Sequence, residues 1–301
     1  MLPIRNHYKI KESTDQMKKY EIALKKPLKP DITMMEIYAP LIAKKAKAGQ
    51  FIIFRVDEEG ERVPLTIAGT DKEKGTVAII FQKVGGSTLA LDALNEGDCL
   101  HDFVGPLGVP TNIAEMGKKV AVVGGGAGCA IAYPIAKALH EAGVEVDVIA
   151  GFRNKDLIIL EDEMKAACTN LYMCTDIGDY GFHGFGTDRL KKLIDEEGKT
   201  YDHVVAIGPL MMMKFVCRLT AQYNIPTTIS MNPIMVDGTG MCGCCRVTVG
   251  GETKFACVDG PDFDGHLVDF DETIARNRSY MEFEAMKKEE HICRLRGKTN
   301  A

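Results

Sequence analysis

One stretch near the C-terminus carries cysteines and an aspartate at a spacing suited to a metal centre. It reads Asp237-Gly-Thr-Gly-Met-Cys242-Gly-Cys-Cys245, and Cys257 follows after eleven further residues. Two-iron clusters are held by the spacing C-x4-C-x2-C and a distant fourth Cys, because a tight loop must aim several thiolates at two irons. The three named cysteines occupy the last three places of that pattern, and Asp237 stands in the first. A carboxylate is anionic like a thiolate, so the stretch predicts a [2Fe–2S] cluster with one oxygen ligand.

Two alternatives to a cluster start from the same residues. Zn²⁺ also accepts Cys and Asp ligands, although zinc sites usually contain two CxxC pairs and this stretch has one pair and one lone Cys. The cysteines could also be ordinary reduced thiols. Two adjacent side chains do not readily face one metal centre, so we expect Cys244 to be a thiol beside the cluster and not a ligand. Gly238, Gly240 and Gly243 suit a loop whose amides approach the sulfides closely.

The composition is that of an ordinary globular protein. The chain has 301 residues, of which 46% are hydrophobic and 26% charged, with a net charge of −5. This length predicts two or three domains, and the acidic balance gives no reason to expect a nucleic-acid partner. The first residues lack an apolar run of signal-peptide length, and no later stretch approaches the roughly 18 apolar residues of a spanning helix. We therefore expect a cytoplasmic protein with no membrane partner.

The cysteine count indicates metal or redox chemistry more than disulfides. Ten Cys in a cytoplasmic chain are unusual for a purely structural role. Those outside the metal stretch show no CxxC spacing and are expected to be small buried hydrophobes. They are Cys99, Cys129, Cys168, Cys174, Cys217 and Cys293.

Short β-rich runs separated by turn residues fill the chain from Tyr20 to about Cys99. Their spacing predicts a small antiparallel barrel. The predicted strands are Tyr20–Leu24, Ile32–Ile37, Gln50–Val56, Pro64–Ala68 and Thr76–Phe81.

Two features of the barrel suit the diphosphate of a flavin nucleotide. Arg62 lies close to the hydroxyl of Thr66, and the turn Gly85-Gly-Ser-Thr88 precedes an apolar helical segment, Leu89–Leu94. Backbone amides and hydroxyls at a helix N-terminus favour phosphate. The alternative is a purely structural role, in which this segment is a tight turn with a helix cap and binds no ligand.

A βαβ unit follows Gly105–Gly108, a segment that we interpret as the hinge into a second domain. The unit consists of strand Lys119–Val123, the glycine turn Gly124-Gly-Gly-Ala-Gly128, helix Cys129–Glu141 and strand Val144–Ala150. Such glycines let the phosphates of a nucleotide approach the helix N-terminus. The dinucleotide fingerprint is incomplete, because Cys129 stands in place of its third Gly and no acidic residue ends the second strand. Plain tight packing is therefore an equal alternative for this turn.

Strands continue to alternate with helices, which predicts a parallel sheet with a ligand crevice at the carboxyl ends of its strands. The further elements are helix Leu157–Ala167, strand Leu171–Cys174, helix Asp188–Glu197, strand His203–Ile207 and helix Leu210–Tyr223. The glycine turns all fall on that rim, so together they favour nucleotide binding. The candidate contacts are Gly124, Gly125, Gly126, Ala127, Gly128, Arg153, Asp176, Gly208 and Pro209.

The predicted fold class is a β barrel plus an α/β domain, followed by a small metal domain. The predicted segments are an N-terminal extension over 1–19, an FAD-binding barrel over 20–108, an NAD-binding domain over 109–229, a cluster domain over 230–270 and a polar tail over 271–301. Nicotinamide exchanges electrons in pairs, a cluster exchanges them singly, and a flavin does both. No acid, base or nucleophile is needed for such electron transfer, and no triad-like constellation is present in the sequence.

Several stretches together match one known family. They are Gly49–Phe51, Gly60–Ala68, Gly105–Gly108, Gly124–Gly126, Gly151–Asp156, Asn232–Gly243 and Lys254–Pro261. Over nearly its whole length the chain resembles the small subunit of NADH-dependent ferredoxin:NADP oxidoreductase, the bifurcating transhydrogenase called Nfn. It is more distantly similar to the electron-transfer subunit of dihydroorotate dehydrogenase and to the β subunit of sulfide dehydrogenase. The resemblance implies a ferredoxin-reductase-like FAD barrel, a parallel-sheet nucleotide domain and a small C-terminal [2Fe–2S] domain.

The resemblance also implies site residues. The cluster ligands carry over onto Asp237, Cys242, Cys245 and Cys257. The flavin contacts carry over onto Val63, Pro64, Leu65, Thr66, Ile80, Phe81, Gln82, Ser87 and Thr88, with Gly86 in the same turn. Arg62 lies one residue earlier than the Arg of the wider reductase pattern.

The role implied by the resemblance is that of a subunit. A large subunit with flavin and [4Fe–4S] clusters oxidises NADPH and sends one electron to ferredoxin and the other through this chain to NAD. The family loop Asp-Gly-Ser-Tyr-Gly is replaced here by Ile177-Gly-Asp-Tyr-Gly181, which leaves the choice between NAD and NADP open. Rival functions are the electron-transfer subunit of a sulfide, glutamate-synthase-like or dihydroorotate oxidoreductase, the last with a four-Cys cluster, and a non-redox, metal-stabilised nucleotide-binding subunit.

Overall fold

Two sheets and a small hairpin organise the part of the chain that the computed structural model describes, which is residues 17–278 with 285, 286 and 289. The predicted extension over 1–19 lies outside the described residues except for 17–19. Most of the predicted tail over 271–301 lies outside them as well.

The first sheet is antiparallel and forms the barrel. In chain order its strands are β1 (Ile22–Lys29), β2 (Ile32–Tyr38), β3 (Phe51–Arg55), β4 (Val63–Asp71), β5 (Thr76–Gln82) and β6 (Asp102–Leu107), with helices α1 (Pro40–Lys45) and α2 (Gly86–Ala93) between them. The spatial order is β1-β2-β5-β4-β3-β6. Buried residues alternate with half-buried ones along β2 and β5, as expected for strands with one face on a core. That core contains Phe54, Phe103 and Leu91.

The hairpin of β4 and β5 opens at one end of the barrel. Its closed end pairs residues 67–71 with 76–79, but residues 63–66 pair only with β3 and residues 80–82 pair only with β2. A register shift between Ile67 and Gly69 marks the point of divergence. The two arms leave an opening in the sheet, and α2 begins four residues after β5 ends.

The second sheet is parallel and carries helices on both sides. It contains β7 (Lys119–Gly125), β8 (Glu145–Phe152), β9 (Asn170–Thr175), β10 (Phe182–His183), β11 (His203–Ile207) and β12 (Thr227–Ser230), joined by α3 (Cys129–Glu141), α4 (Glu161–Ala166), α5 (Gly186–Asp195) and α6 (Leu210–Gln222). The spatial order is β10-β9-β8-β7-β11-β12. Asp147 is buried in the middle of β8, where its carboxylate pairs with Lys199 at 3.0 Å and accepts hydrogen bonds from Tyr201 and Asn170. This acidic residue is therefore structural and lies away from the rim.

The C-terminal segment contacts both sheets. It consists of β13 (Arg246–Val249), β14 (Glu252–Phe255), β15 (Asp262–Asp264) and α7 (Phe270–Arg278). The strand β15 pairs antiparallel with β12 and becomes the edge of the parallel sheet. Phe51 and Ile53 of the barrel share a core with Met235, Ala256 and the two buried cysteines of the metal stretch.

Some predicted elements differ from the structure. Gly105–Leu107 belongs to β6, which pairs with β3, so this segment is a barrel strand and the chain leaves the barrel only at Gly108. The helix predicted over Leu157–Ala167 is shortened to α4, because Leu160 before it takes a left-handed φ of 55°. Cys99 is exposed, contrary to prediction, since it lies in an edge bridge with Glu21. The prediction of burial is confirmed for Cys129, Cys168, Cys174 and Cys217, and Cys293 lies outside the described residues. Within the described ranges, none of the helices has the length and apolarity to cross a membrane.

Candidate flavin, nucleotide and iron–sulfur sites

The hairpin of β13 and β14 brings two of the predicted metal ligands together. Cys245 directly precedes β13 and Cys257 follows shortly after β14, and the register that pairs Arg246 with Phe255 sets them side by side. Their sulfur atoms lie 3.2 Å apart in a buried position. Burial, reinforced by the neighbouring Cys245 thiol, raises the pKa of Cys257 to about 12. Such a buried pair loses its protons readily only when a metal supplies the compensating positive charge.

The other two predicted ligands lie in the loop before that hairpin. Backbone N–H groups, first that of Cys244 and then that of Asp237, donate to the Cys242 sulfur and lower the pKa of this exposed thiol. Oδ2 of Asp237 accepts hydrogen bonds from the Thr239 hydroxyl at 2.7 Å, the Thr239 amide at 2.9 Å and the Met241 amide at 3.1 Å. These bonds, the hydroxyl first, lower the pKa of Asp237. One carboxylate oxygen therefore caps the glycine turn, while Oδ1 has no protein partner among residues 17–278.

The donor set is compatible with a two-iron cluster. Among the described residues no three His, Cys, Asp or Glu side chains converge on one point. The side chains instead form a close Cys245–Cys257 pair and a loop that carries Asp237 and Cys242, and a two-iron cluster divides its protein ligands between two metal atoms. Hydrogen bonding to Cys242 raises the pKa of the Cys244 thiol, which is consistent with a neighbour of the ligands. The ligand set remains a prediction.

The predicted flavin residues lie around the opening between β4 and β5. Residues 63–66 form one arm, residues 80–82 the other, and Gly86–Thr88 form the first turn of α2 beside them. The first amides of α2 have no carbonyl partner in the described part of the chain, as is usual at a helix N-terminus. A Cβ atom placed on Gly85, directly before this turn, would meet no described atom within 4 Å, so the surface next to the turn is open. This cradle fits a phosphate group.

The hydroxyls of this turn already have protein partners. Thr88 Oγ1 accepts hydrogen bonds from the Val84 and Gly85 amides, both at 3.1 Å, and so caps α2. Ser87 Oγ donates to Glu61 Oε2 at 2.8 Å. The helix cap that the sequence left as an alternative is therefore present, and a flavin contact by either side chain stays a prediction.

Arg62, directly before β4, is hydrogen-bonded to the loop 236–245 that carries Asp237 and Cys242, which we call the metal loop. Its Nε donates to the Val236 carbonyl at 2.9 Å and its Nη2 to the Asp237 carbonyl at 3.5 Å. Its Nη1 lies 3.8 Å from Asp102 Oδ2. The predicted phosphate contact of Arg62 is not tested by this arrangement.

The glycines at the end of β7 and in the turn that follows serve packing as well as ligand access. A Cβ on Gly125 would lie 2.5 Å from Met212 Sδ, and one on Gly128 would lie 2.6 Å from the Ile207 carbonyl oxygen. Likewise, Cys129 Sγ would lie 2.9 Å from a Cβ on Gly124. Gly126 differs, because it has a φ of +55° and faces open space. It is the position in this turn where a phosphate could approach the backbone most closely.

The remaining nucleotide candidates lie at the same rim. Arg153 follows β8, Asp176 follows β9, and Gly208 and Pro209 join β11 to α6, so the carboxyl ends of parallel strands bring them to one edge. Sequence reasoning missed Asn154, whose buried Oδ1 has no hydrogen-bond partner in the described part of the chain. A buried orphan acceptor at a ligand rim is expected to be satisfied by water or by the ligand. Its only sequence signal was its place in the stretch Gly151–Asp156.

Comparison with known proteins gives these sites a family. A model of the iron–sulfur cluster binding domain of dihydroorotate dehydrogenase B matches residues 232–269. The chain is 44% identical to a dihydroorotate dehydrogenase B (NAD(+)) electron transfer subunit homolog of Thermotoga maritima, over 90% of this chain and 95% of the relative. It is 58% identical to an uncharacterised protein of Clostridium beijerinckii, over 87% of this chain and 90% of the relative. A solved chain of NADH-dependent reduced ferredoxin-NADP oxidoreductase matches with a TM-score of 0.87 and 43% identity, over 92% of this chain and 99% of that one.

The chain belongs to the family of dihydroorotate dehydrogenase B electron-transfer subunits and their homologues. It is thus an oxidoreductase electron-transfer subunit. Ferredoxin, cytochrome P450 and cytochrome b5 reductases at 17 to 20% identity match with TM-scores of 0.52 to 0.55, and they confirm the reductase fold alone. At the level of the family, the predicted cofactors FAD, NAD(H) and an iron–sulfur cluster are confirmed.

Proposed function

We propose that this chain is the small subunit of an NADH-dependent ferredoxin:NADP oxidoreductase. In this role it passes electrons between NAD(H), FAD and a [2Fe–2S] cluster, and exchanges them with a large subunit that carries flavin and [4Fe–4S] clusters. The similarity to the solved oxidoreductase chain, which extends over 99% of that chain at 43% identity, is the observation that carries the proposal.

The predicted site residues have distinct tasks in this function. The first turn of α2 would hold the flavin diphosphate, and Val63–Thr66 with Ile80–Gln82 would hold the flavin in the opening of the barrel. Gly126 and the rim with Arg153 and Asp176 would bind NAD(H). The flavin, when bound, supplies the conversion between paired and single electrons.

The partner surface is proposed to surround the metal loop. Met241 is 88% exposed in this loop, and Val236 and Val258 next to it are also exposed. Exposed apolar side chains beside a redox centre are suited to a docking partner.

The test is the activity of the native complex. A tagged copy of this chain, purified anaerobically from its own cells, is expected to bring a second subunit with flavin and iron. With NADPH as the donor, the complex should reduce ferredoxin only when NAD⁺ is also present. Ferredoxin reduction that does not depend on NAD⁺, or a complex without a second flavin, would contradict the proposal.

A second candidate has support from the names of the relatives. Several at 31 to 44% identity are dihydroorotate dehydrogenase B electron-transfer subunits or homologues of them. Asp237 in place of the first cluster cysteine disfavours that role for this chain. Reduction of NAD⁺ by the purified complex with dihydroorotate as donor would establish it.

A further inference from the structure

Arg62 joins the flavin strand to the metal loop. It directly precedes β4, whose first residues form one arm of the flavin opening, and its guanidinium donates to the carbonyls of Val236 and Asp237. We infer that Arg62 is a positioning residue that fixes the metal loop relative to the flavin site. The inference rests on the proposed function, in which electrons pass between these two sites.

The barrel side of this connection is itself held in place. Asp102 lies 3.8 Å from Nη1 of Arg62 and also accepts a hydrogen bond from Arg55 Nε at 2.8 Å. Arg55 and Asp102 are register partners on β3 and β6, so the carboxylate is fixed between two barrel strands. A planar guanidinium that contacts an anchored carboxylate has little rotational freedom. Its Nε and Nη2 donors therefore point in a defined direction.

The loop side ends on a predicted iron ligand. Arg62 contacts the backbone oxygen of Asp237 itself and that of the preceding residue. The next residue, Gly238, lies so close to the barrel that a Cβ there would be 2.6 Å from Ile53 Cδ1. Apolar contact thus holds the loop close to the barrel. The guanidinium fixes the orientation of the Asp237 backbone.

The position of Arg62 has an electrostatic consequence. A reduced cluster carries one more negative charge than an oxidised one, so a nearby cation favours the reduced form and raises the reduction potential. Arg62 should therefore influence both the geometry of the metal site and its potential.

The experiment uses the full chain with FAD and cluster, and compares Arg62→Gln, Arg62→Lys and Arg55→Gln with the parent. FAD content, the EPR spectrum of the reduced cluster and its midpoint potential are measured for each. Arg55→Gln is the comparison variant, because it removes the hydrogen bond that anchors Asp102 but leaves the bonds from Arg62 to the metal loop in place. We expect Arg62→Gln to retain FAD, to broaden the EPR signal and to lower the potential. Arg62→Lys keeps the charge, so its reduction potential should lie closer to that of the parent. Arg55→Gln acts only through Asp102, so it should change the EPR signal and the potential less than Arg62→Gln does.

Three results would overturn the inference. The first is an unchanged EPR signal and potential in Arg62→Gln. The second is loss of FAD with an unaltered cluster, which would make Arg62 a flavin-phosphate contact. The third is an equal change in Arg55→Gln, which would indicate general loosening of the barrel edge. Absence of the cluster EPR signal from the parent protein would instead refute the cluster assignment and the proposed function. This outcome depends on the parent spectrum alone and not on any variant.

Discussion

At the scale of single residues, Asp237 caps the glycine turn and is also the predicted oxygen ligand of the cluster. Its Oδ2 caps the glycine turn through three hydrogen bonds, as a purely structural aspartate would. Its Oδ1 has no partner among the described residues and remains available to a metal. A carboxylate has two oxygen atoms, so one can accept the hydrogen bonds of the turn while the other is available to a metal.

The change Asp237→Cys tests the ligand role. A thiolate restores the four-cysteine spacing without changing the ligand charge, so we expect the cluster to be retained. The softer ligand should alter the absorption and EPR spectra and shift the reduction potential. Loss of the cap should also lower the thermal stability of the cluster loop, by about 1 kcal/mol for each lost hydrogen bond. Iron content, EPR spectroscopy and redox titration of the reconstituted protein measure these effects.

The control is Cys244→Ser, which removes the neighbouring thiol. If Asp237 is the ligand, this variant keeps its cluster with little spectral change. Cluster loss in Cys244→Ser, together with parent-like spectra of Asp237→Cys, would show that Cys244 is the fourth ligand.

Asp262 is a residue whose titration should affect stability. Burial raises its pKa to about 6, although the Thr111 and Ser230 hydroxyls donate to it, and its buried Oδ1 has no hydrogen-bond partner within the described ranges. Between pH 4 and 6 the folded state holds a proton that the unfolded chain has lost, so the free energy of unfolding falls as the pH rises through this window. From pH 5 to pH 7.5 the parent should lose about 1 to 1.5 kcal/mol through this group. Asp262→Asn has no proton to lose at this site. As the pH rises from 5 to 7.5, the free energy of unfolding in urea should therefore fall in the parent by this amount relative to the variant. A constant difference across this range would show that Asp262 titrates normally.

At the scale of elements, strong periodicity predicted structure well. The bounds of α3 and β11 agree with the sequence analysis, because an apolar helix after a glycine turn and a short β-branched run leave little ambiguity. Several short elements were missed, and three of them show why. Part of β6 carries Gly and Pro and looked like a hinge, β15 is only Asp-Phe-Asp, and α1 has just six residues. Each is defined by tertiary pairing or packing and not by a local pattern.

Sequence motifs predicted the candidate site residues but not the residues that they contact in the fold. Sequence spacing placed Arg62 near a flavin phosphate and could not reveal that its guanidinium contacts Val236 and Asp237, more than 170 positions away. The orphan oxygen of Asn154 is equally invisible to a single sequence. Long-range contacts of this kind depend on how the barrel, the sheet and the metal loop pack together.

The opening of the β4–β5 hairpin predicts a specific role for Thr66. Thr66 lies on the arm of β4 that pairs with β3 but not with β5, and its hydroxyl has no hydrogen-bond partner among the described residues. If this hydroxyl donates to the flavin diphosphate, Thr66→Val should weaken FAD binding by about 1.5 to 3 kcal/mol, or roughly 10- to 150-fold in Kd. Fluorescence titration of the FAD-free chain measures the change. Thr70→Val, at an exposed position of the same strand, is the matched control and should bind FAD like the parent. Equal affinities of all three proteins would exclude the contact.

The close approach of the metal loop to the barrel predicts the effect of Gly238→Ala. The new Cβ would lie 2.6 Å from Ile53 Cδ1 and 2.9 Å from Leu107 Cδ1, at a φ of +82°. Gly251→Ala is a matched control, because its φ of +81° imposes the same backbone strain with nothing within 4 Å. In both variants, alanine in the left-handed backbone conformation should lower the free energy of unfolding by about 1 kcal/mol. Only Gly238→Ala should also lower iron retention during gel filtration, and equal retention in the two variants would refute a packing role for Gly238.

At the scale of the whole molecule, the metal segment connects the two larger units. Its loop packs on the barrel through Phe51 and Ile53, while β15 extends the parallel sheet. Thr111, in the connection between barrel and sheet, donates a hydrogen bond to Asp262 of β15 at 2.5 Å. This arrangement links the flavin opening, the nucleotide rim and the metal loop in one chain, which suits internal electron transfer.

The same arrangement limits what the chain can do alone. Bifurcation needs a second flavin and a low-potential relay. The buried cysteines Cys129, Cys174 and Cys217 are core thiols, and burial raises the pKa of each to about 12. They offer no spacing for a [4Fe–4S] cluster. The isolated chain, loaded with FAD and iron, should therefore transfer electrons from NADH to ferricyanide but should not reduce ferredoxin with NADPH. Both assays are run on one anaerobic preparation, so that the dye reaction shows the cofactors to be in place. Ferredoxin reduction by the chain alone would contradict the subunit role, because the second flavin and relay would then have to lie within these 301 residues.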